Sequence, residues 1–429
     1  MKKMLLSAAF LAAMTSVSAQ KLTYVPYADN GYLMGTYISS DGRYIAGGDA
    51  GGQGFIYDTQ KGEIKYFVSP ENGDETQDAS TEVRAVNPDG TGVGYVGDKL
   101  CKFDFNTGEY TDLGVNEPAL ANTMSTDGSV IGGFAWDENT YMQHPIYLKD
   151  GVKYDLPMPT STWLGYEANG FGLTGANADG SMFLGYVQDD FAAYPICLWV
   201  LNQDSKTYSV IPVSKRFYDS SIELNGPQPM DYFNGAFMSA NGRWVALSVH
   251  NKDNAEQSYT LARYDVLNDA LEYISCPEAT QTLAYYATAI SDDGTVIGYI
   301  NDEMSNARTG VICLAGDSVA HRLSEAFPGV PELAQLDVNE LNTPCCITPD
   351  GRYISGFGYV DLDDENLCFG TYWIDTKTTD AVDKVSEAAP ATKVVRSYGV
   401  DGKAKRLAAP KGLRLDKLAN GKVKKVVVK

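Results

Sequence analysis

One short phrase returns seven times along this chain and limits what the chain can fold into. It consists of an apolar residue, two short residues, Asp-Gly, two more residues, then an apolar residue and usually a glycine. The copies are Ile38-Ser-Ser-Asp41-Gly42, Val86-Asn-Pro-Asp89-Gly90, Met124-Ser-Thr-Asp127-Gly128, Ala176-Asn-Ala-Asp179-Gly180, Met238-Ser-Ala-Asn241-Gly242, Ile290-Ser-Asp-Asp293-Gly294 and Ile347-Thr-Pro-Asp350-Gly351. A phrase recurring every 38 to 62 residues marks a repeat architecture, in which each unit buries its apolar face against its neighbours. Asp-Gly between apolar runs signals a hairpin, and the expectation is a tight primed turn. Ser39, Asn87, Ser125, Asn177, Ser239, Ser291 and Thr348 precede these turns by two residues. Short oxygen-bearing side chains there bond nearby backbone, so they read as turn formers before any nucleophilic role is considered.

A second strand starts three residues after each glycine, at Ile45, Val93, Ile131, Phe183, Val245, Ile297 and Ile354. A third follows a short loop, as in Gly54-Phe-Ile-Tyr-Asp58 or Pro195-Ile-Cys-Leu-Trp199. After a further turn comes a fourth, as in Glu63-Ile-Lys-Tyr-Phe67. Four antiparallel strands per repeat, seven repeats and no convincing helical periodicity predict an all-β, seven-bladed β-propeller. The seventh repeat ends at its third strand, near Trp373. The run Lys21-Leu-Thr-Tyr-Val-Pro-Tyr27 is expected to supply the missing outer strand and close the ring.

The repeat resembles the HAF family of extracellular repeats and, more loosely, the Asp-Gly repeats of TolB-like propellers. Ala119 to Pro157 carries the likeness best, from Thr123-Met-Ser-Thr-Asp-Gly-Ser-Val-Ile-Gly-Gly133 to His144-Pro-Ile-Tyr-Leu-Lys-Asp-Gly151. The resemblance spans roughly residues 30 to 376 and implies a fold, not an activity.

The ends differ from the middle. Residues 1–19 begin with Lys2 and Lys3, continue with a short apolar run and finish at Val17-Ser-Ala19. That is the pattern of a secretory signal peptide cleaved near Ala19, too short to be kept as a membrane span. Residues 20–378 form the expected propeller and 379–392 a linker. Residues 393–429 form a basic β tail with Ser397-Tyr398-Gly399, Lys411-Gly-Leu413 and a terminal Gly421-Lys-Val-Lys-Lys-Val-Val-Val-Lys429. This tail resembles the C-terminal domains of secreted Bacteroidetes proteins, some of them type IX sorting signals. A small stabilising β-module is the other reading. Localisation is therefore expected to be periplasmic, surface or extracellular.

Residues 384–429 hold 13 Lys+Arg against 3 Asp+Glu, so the propeller is more acidic than the whole-chain charge of −21. Such a domain repels polyanions, which excludes nucleic acid as an expected partner. Seven cysteines in a secreted chain would suggest disulfides. Cys197 and Cys313, however, occupy equivalent third-strand positions in different repeats, so most of the seven read as buried free thiols.

Motifs for nucleotide, zinc-protease or serine-hydrolase chemistry are missing from the sequence, and His144, His250 and His321 are scattered. No metal and no cofactor are expected. The better handle is topology. Loops joining second to third strands emerge on the same face of the disc as the blade-linking loops, opposite the Asp-Gly turns. Second-to-third loops carry Asp49, Asp98, Asp137 with Glu138, Asp189 with Asp190, Asp253 with Glu256, Asp302 with Glu303, and Asp361, Asp363, Asp364 and Glu365. The blade-linking loops add Trp163, Tyr166, Phe171, Phe217, Tyr218, Tyr232, Phe233, Tyr285, Tyr286 and Phe327.

Carboxylates beside aromatic rings suit sugars, which stack on rings and donate hydroxyl hydrogens. The expected ligand site is thus Trp163, Tyr166, Phe217, Tyr218, Tyr232, Phe233, Asp137, Glu138, Asp189, Asp190, Asp302 and Glu303. The expected function is a monomeric propeller that binds a glycan or a protein, with a carbohydrate-active hydrolase or lyase on the same face as the alternative. Asp361-Leu-Asp-Asp-Glu-Asn366 has the oxygen ligands for Ca²⁺ but not the glycine of an EF-hand loop, and a solvated acidic loop fits it as well.

Overall fold

The computed structural model describes residues 20–26, 33–49, 51–68, 80–137, 139–140, 142–158, 170–188, 196–212, 236–250, 259–338, 341–363, 366–377, 394–399, 404–405, 412–418 and 423–428. Seven four-stranded antiparallel sheets follow one another along the chain, each running from an inner to an outer strand. Blade 1 is Leu33–Ile38, Tyr44–Asp49, Gly54–Asp58 and Glu63–Phe67. Blade 3 is Ala119–Met124, Val130–Trp136, Gln143–Lys149 and Val152–Asp155, and the other blades repeat the pattern. The fold is the seven-bladed propeller that the repeats predict.

The ring closes as expected. Blade 7 takes Asn342–Ile347, Tyr353–Asp363 and Asn366–Asp375 from the end of the repeat region. Its outer strand is Lys21–Tyr24, with Leu22 opposite Ile374 and Tyr24 opposite Tyr372. Leu22 and Val25 are buried, and Val25 N–H donates to Thr371 O at 2.9 Å. Buried Thr371 then stitches blade 7 to blade 1: its hydroxyl donates to Leu33 O and accepts from Gly35 N–H, both at 2.7 Å. Between blades run seams of buried apolar side chains, such as Ile56, Phe67, Val83 and Phe103 between blades 1 and 2.

The Asp-Gly turn is longer than a primed two-residue turn. Gly42 N–H bonds Ser39 O, Ser39 N–H bonds Tyr44 O, and only Gly42 (φ 75°) takes positive φ. This is a type I-like turn ending in a left-handed glycine. The side chains explain the choice. Ser39 Oγ donates to Asp41 Oδ1 and accepts from Tyr44 N–H, while Asp41 Oδ1 also accepts from Arg43 N–H. The same hydroxyl bridge recurs at Ser125, Ser239, Ser291 and Thr348. All seven residues at this position are buried, which accounts for their recurrence as turn formers.

The recurring second-strand glycine has its own cause. In six blades the inner strand bulges five residues before the turn Asp, at Thr36, Arg84, Asn122, Thr174, Thr288 and Cys345. The bulge drives a carbonyl toward the facing strand. A Cβ on Gly47 would lie 1.8 Å from Met34 O, and Gly94, Gly133, Gly185, Gly298 and Gly356 are crowded in the same way. Blade 5 pairs Ala236 to Met238 without a register shift, and Leu247 stands there instead of glycine. Several bulge residues bond the next blade: Asn122 Nδ2 donates to Leu173 O, Thr174 Oγ1 to Ala236 O and Thr288 Oγ1 to Pro344 O.

Two short helices were not anticipated, α1 (Leu323–Ala326) and α2 (Pro331–Val338), between blades 6 and 7. Pro331 opens α2 where its missing N–H costs nothing. Leu323, Leu333 and Leu336 enter the core cluster holding Leu22, Ile354 and Tyr372. Cys101, Cys197, Cys276, Cys313, Cys345 and Cys346 are free thiols, and burial pushes the Cys101 thiol up to about 11. Among the described residues no helix is long and apolar enough to cross a membrane.

The chain divides into two compact units, one of them Lys21–Thr376. The other contains a separate antiparallel sheet ordered Ala404–Lys405, Val394–Gly399, Gly412–Leu418, Val423–Val428. Residues 1–19, expected to be the signal peptide, lie outside the described residues.

Candidate functional site

The loop face of blade 3 gathers the densest set of chemically capable side chains in the described structure. Alternation along a strand places His144, Ile146 and Leu148 on one face of the third strand. The register sets Lys153 opposite Leu148 and Asp155 opposite Ile146 on the outer strand, so these two share that face. Ile146 and Leu148 are buried in the seam toward blade 2, which fixes the sheet. His144 lies beyond the seam, where the link from blade 2 brings Glu117 across. The His144 Nε2 atom lies 3.8 Å from Glu117 Oε1 and 3.6 Å from Asp155 Oδ1. Lys153 Nζ bonds Glu117 Oε1 and lies 3.2 Å from Asp155 Oδ1. Burial alone would lower the Lys153 ammonium, but its hydrogen bonds to Glu117 and Asp155 outweigh this and hold it above its ordinary value.

Beside this cluster opens a cleft of about 480 Å³, lined by Val115, Asn116, Glu117, Asp137, Asn139 and Lys153 among others. Among the described residues, Asp137 is thus the one expected site residue that joins this constellation. Its Oδ1 accepts from Asn139 N–H at 2.8 Å and Thr140 N–H at 2.9 Å. The Thr140 and Asn139 amides hold its carboxyl below the usual carboxylate range.

Asp302 serves its own loop in the same way. Its Oδ1 accepts from Met304 N–H and its Oδ2 from the Ser305 hydroxyl, both at 2.9 Å, and these bonds lower its pKa. Asp49 accepts from Gln53 N–H at 2.7 Å. An aspartate starting a second-to-third loop therefore has a structural reason to recur, because it folds the loop. Glu303 accepts from Tyr286 OH at 3.5 Å, and Tyr286 stacks on Tyr299 with ring centroids 5.4 Å apart. Asp302 and Glu303 belong to blade 6 and do not line the blade 3 cleft.

Two aromatics expected on this face are core residues instead. Tyr285 is 1% exposed, facing Ala246 and Leu261 of blade 5, and Phe327 packs with Leu323 and Leu333. Trp163, Tyr166, Phe217, Tyr218, Tyr232, Phe233, Glu138, Asp189 and Asp190 lie outside the described residues, as do Asp253, Glu256, Asp364 and Glu365. The backbone of Asp361–Asp363 and Asn366 continues the long blade 7 hairpin, with Asp361 opposite Leu367.

Sequence reasoning set His144 aside as one of three scattered histidines and passed over Glu117, Lys153 and Asp155. The four sit on three separate elements, and no spacing rule links them. The usable signal was position: His144 and Asp155 lie toward the loop-face ends of blade 3 strands and Glu117 in the link that enters it, while Lys153 shares the Asp155 face from the other end of the outer strand.

No family model matches the chain, and no curated protein matches it. Solved structures do match it. An oligogalacturonate lyase from Vibrio parahaemolyticus is 11% identical over 84% of this chain and 95% of its own, with a TM-score of 0.50. TolB from Acinetobacter baumannii is 13% identical over 74% of this chain and 70% of its own, with a TM-score of 0.36. A putative TolB from Agrobacterium tumefaciens is 12% identical over 62% and 91%, with a TM-score of 0.38. TolB structures are thus among its structural matches, and at 11% identity the likeness to the lyase is one of fold alone.

Proposed function

We propose that this chain is a secreted or cell-surface propeller that binds a glycan through its loop face. The observation that carries the reading is the blade 3 cleft, where carboxylates (Glu117, Asp137), amides (Asn116, Asn139) and an ammonium (Lys153) line about 480 Å³. That volume falls in the range of small-molecule sites, and closely spaced donors and acceptors match the hydroxyls of a sugar. Trp163, Tyr166, Phe217, Tyr218, Tyr232 and Phe233 supply stacking rings in this reading, and Glu138, Asp189 and Asp190 further acceptors. Residues 1–19 are a cleaved leader and 393–429 a sorting-type tail.

A panel of neutral and acidic oligosaccharides, titrated calorimetrically against the mature protein, tests it. Binding weakened roughly tenfold or more by Asn116→Ala with Asn139→Ala, or by Trp163→Ala with Tyr232→Ala, supports the reading. Binding indifferent to both pairs removes the site from consideration, and failure of the whole panel removes the glycan reading.

A second reading, a carbohydrate-active hydrolase or lyase, draws on one observation. An imidazole (His144), an ammonium (Lys153) and two carboxylates (Glu117, Asp155) meet beside the cleft, and these groups perform proton transfer. Products released from a polysaccharide by the wild type and not by Asp155→Asn would favour it.

A further inference from the structure

We propose that Glu117, His144 and Asp155 bind one divalent transition-metal ion of the zinc class, with Lys153 as a built-in competitor for the same oxygens. Each of the three residues offers one donor atom, and the three atoms lie within 4.8 Å of one another. The distances fit a small ion. Donors about 2.0–2.2 Å from a tetrahedral centre stand about 3.3–3.5 Å apart. The His144 nitrogen lies 3.6 Å and 3.8 Å from the two carboxylate oxygens and all three donors lie within 4.8 Å of one another, so the imidazole edges need a few tenths of an ångström of contraction and the two carboxylates must close by up to about 1.3 Å.

Donor chemistry narrows the ion. An imidazole nitrogen with two carboxylates suits zinc, cobalt or nickel. Calcium takes six to eight oxygens at longer distances and has no use for the imidazole. Three protein ligands leave a fourth position for water or a ligand atom. Glu117 is shared with the wall of the neighbouring cleft, which gives the position an approach from solvent.

Lys153 makes this site unusual. Its ammonium contacts Glu117 Oε1 and Asp155 Oδ1, the same two oxygens that face His144 Nε2. A metal ion and the ammonium cannot both hold these oxygens, because two cations at that separation repel. Metal entry therefore displaces Lys153 into the cleft, and removing the ammonium strengthens the site. The inference needs only these four side chains and stands apart from the glycan reading.

Calorimetric titration of the full-length mature chain with ZnCl₂, alongside Co²⁺ absorption spectra and a CaCl₂ control, tests it. The expected result is one Zn²⁺ per chain and the visible d–d bands of low-coordinate cobalt. Affinity should fall roughly tenfold or more in His144→Ala and Asp155→Asn, and rise by a similar factor in Lys153→Met. Metal-free melting temperatures near that of the wild type establish that the variants are folded. No zinc binding by either wild type or Lys153→Met, zinc affinity unchanged in His144→Ala, or calcium bound in preference to zinc would each overturn the site. Unchanged or weaker binding by Lys153→Met would overturn the competitor role.

Discussion

Asp58 ends the third strand of blade 1 and is reached by Arg43, which follows the turn glycine. Arg43 Nη2 donates to Asp58 Oδ2 at 2.9 Å while its guanidinium lies over the Tyr44 ring. The other carboxylate oxygen accepts from Gln60 and Lys61 N–H, so one side chain ties together two turns. Arg243–Asp265 over Trp244 and Arg352–Asp375 over Tyr353 repeat the clamp in blades 5 and 7. Burial pushes the Asp58 carboxyl up, but the bonds from Arg43, Lys61 and Gln60 outweigh it and the net shift is downward. A carboxyl depressed in the folded state contributes fully above its unfolded pKa, near 3.9, and loses that contribution as pH falls through the folded value. Asp58→Asn is therefore expected to cost about 1–3 kcal/mol at pH 7. Urea unfolding at stepped pH should show the gap to wild type closing below about pH 4, and a constant gap would refute the clamp. The sequence displays Arg43, Arg243 and Arg352 at one repeat position, yet their partners lie a strand away, so pattern reading found the turn and missed the clamp.

At the level of the strand, the bulge and the glycine facing it form one device. Gly133 lies opposite Ala121, and a Cβ there would stand 1.9 Å from Leu120 O, a backbone atom that cannot swing aside. Gly133→Ala must flatten the bulge or part the strands. The expected loss is about 2–4 kcal/mol, at the upper end of single substitutions, read as a lower urea midpoint with unchanged slope. The same change at Gly62, which has nothing within 4 Å, should cost far less, limited to the strain of its positive φ. This device was half legible in the sequence. The glycine stood out by recurrence, but a bulge adds a single residue, which repeats spaced 38 to 62 residues apart conceal, so its cause became visible only with the register. Likewise α2 escaped notice because Leu333 and Leu336 make too short a periodic run to separate from a loop.

Across the whole molecule, seven blades and the closing strand Lys21–Tyr24 could be read from recurrence and from the third-strand ending of the last repeat. The candidate site could not, because Glu117, His144, Lys153 and Asp155 meet only through the seam between blades 2 and 3. Deleting residues 20–28 should remove the ladder with Tyr372–Asp375 and the burial of Leu22 and Val25. At about 1 kcal/mol per hydrogen bond and about 1.5–3 per buried aliphatic side chain, several kcal/mol would go. Deleting 393–429 should leave the melting temperature of the Lys21–Thr376 unit nearly unchanged, since the tail belongs to the other compact unit. Equal destabilisation by the two truncations, followed calorimetrically, would make the tail part of the ring. The closing strand also sets an order of events. It is made before any blade and finds its partner last, because Lys21–Tyr24 pairs with Tyr372–Asp375, in the last strand of the seventh repeat. A chain cut short before Asn366 keeps its earlier blades but leaves Lys21–Tyr24 unpaired beside an open sheet edge, the feature that invites aggregation. Synthesis through the last strand of blade 7 is thus recorded in the fold itself, and quality control would meet a product cut short before that strand as an unclosed ring.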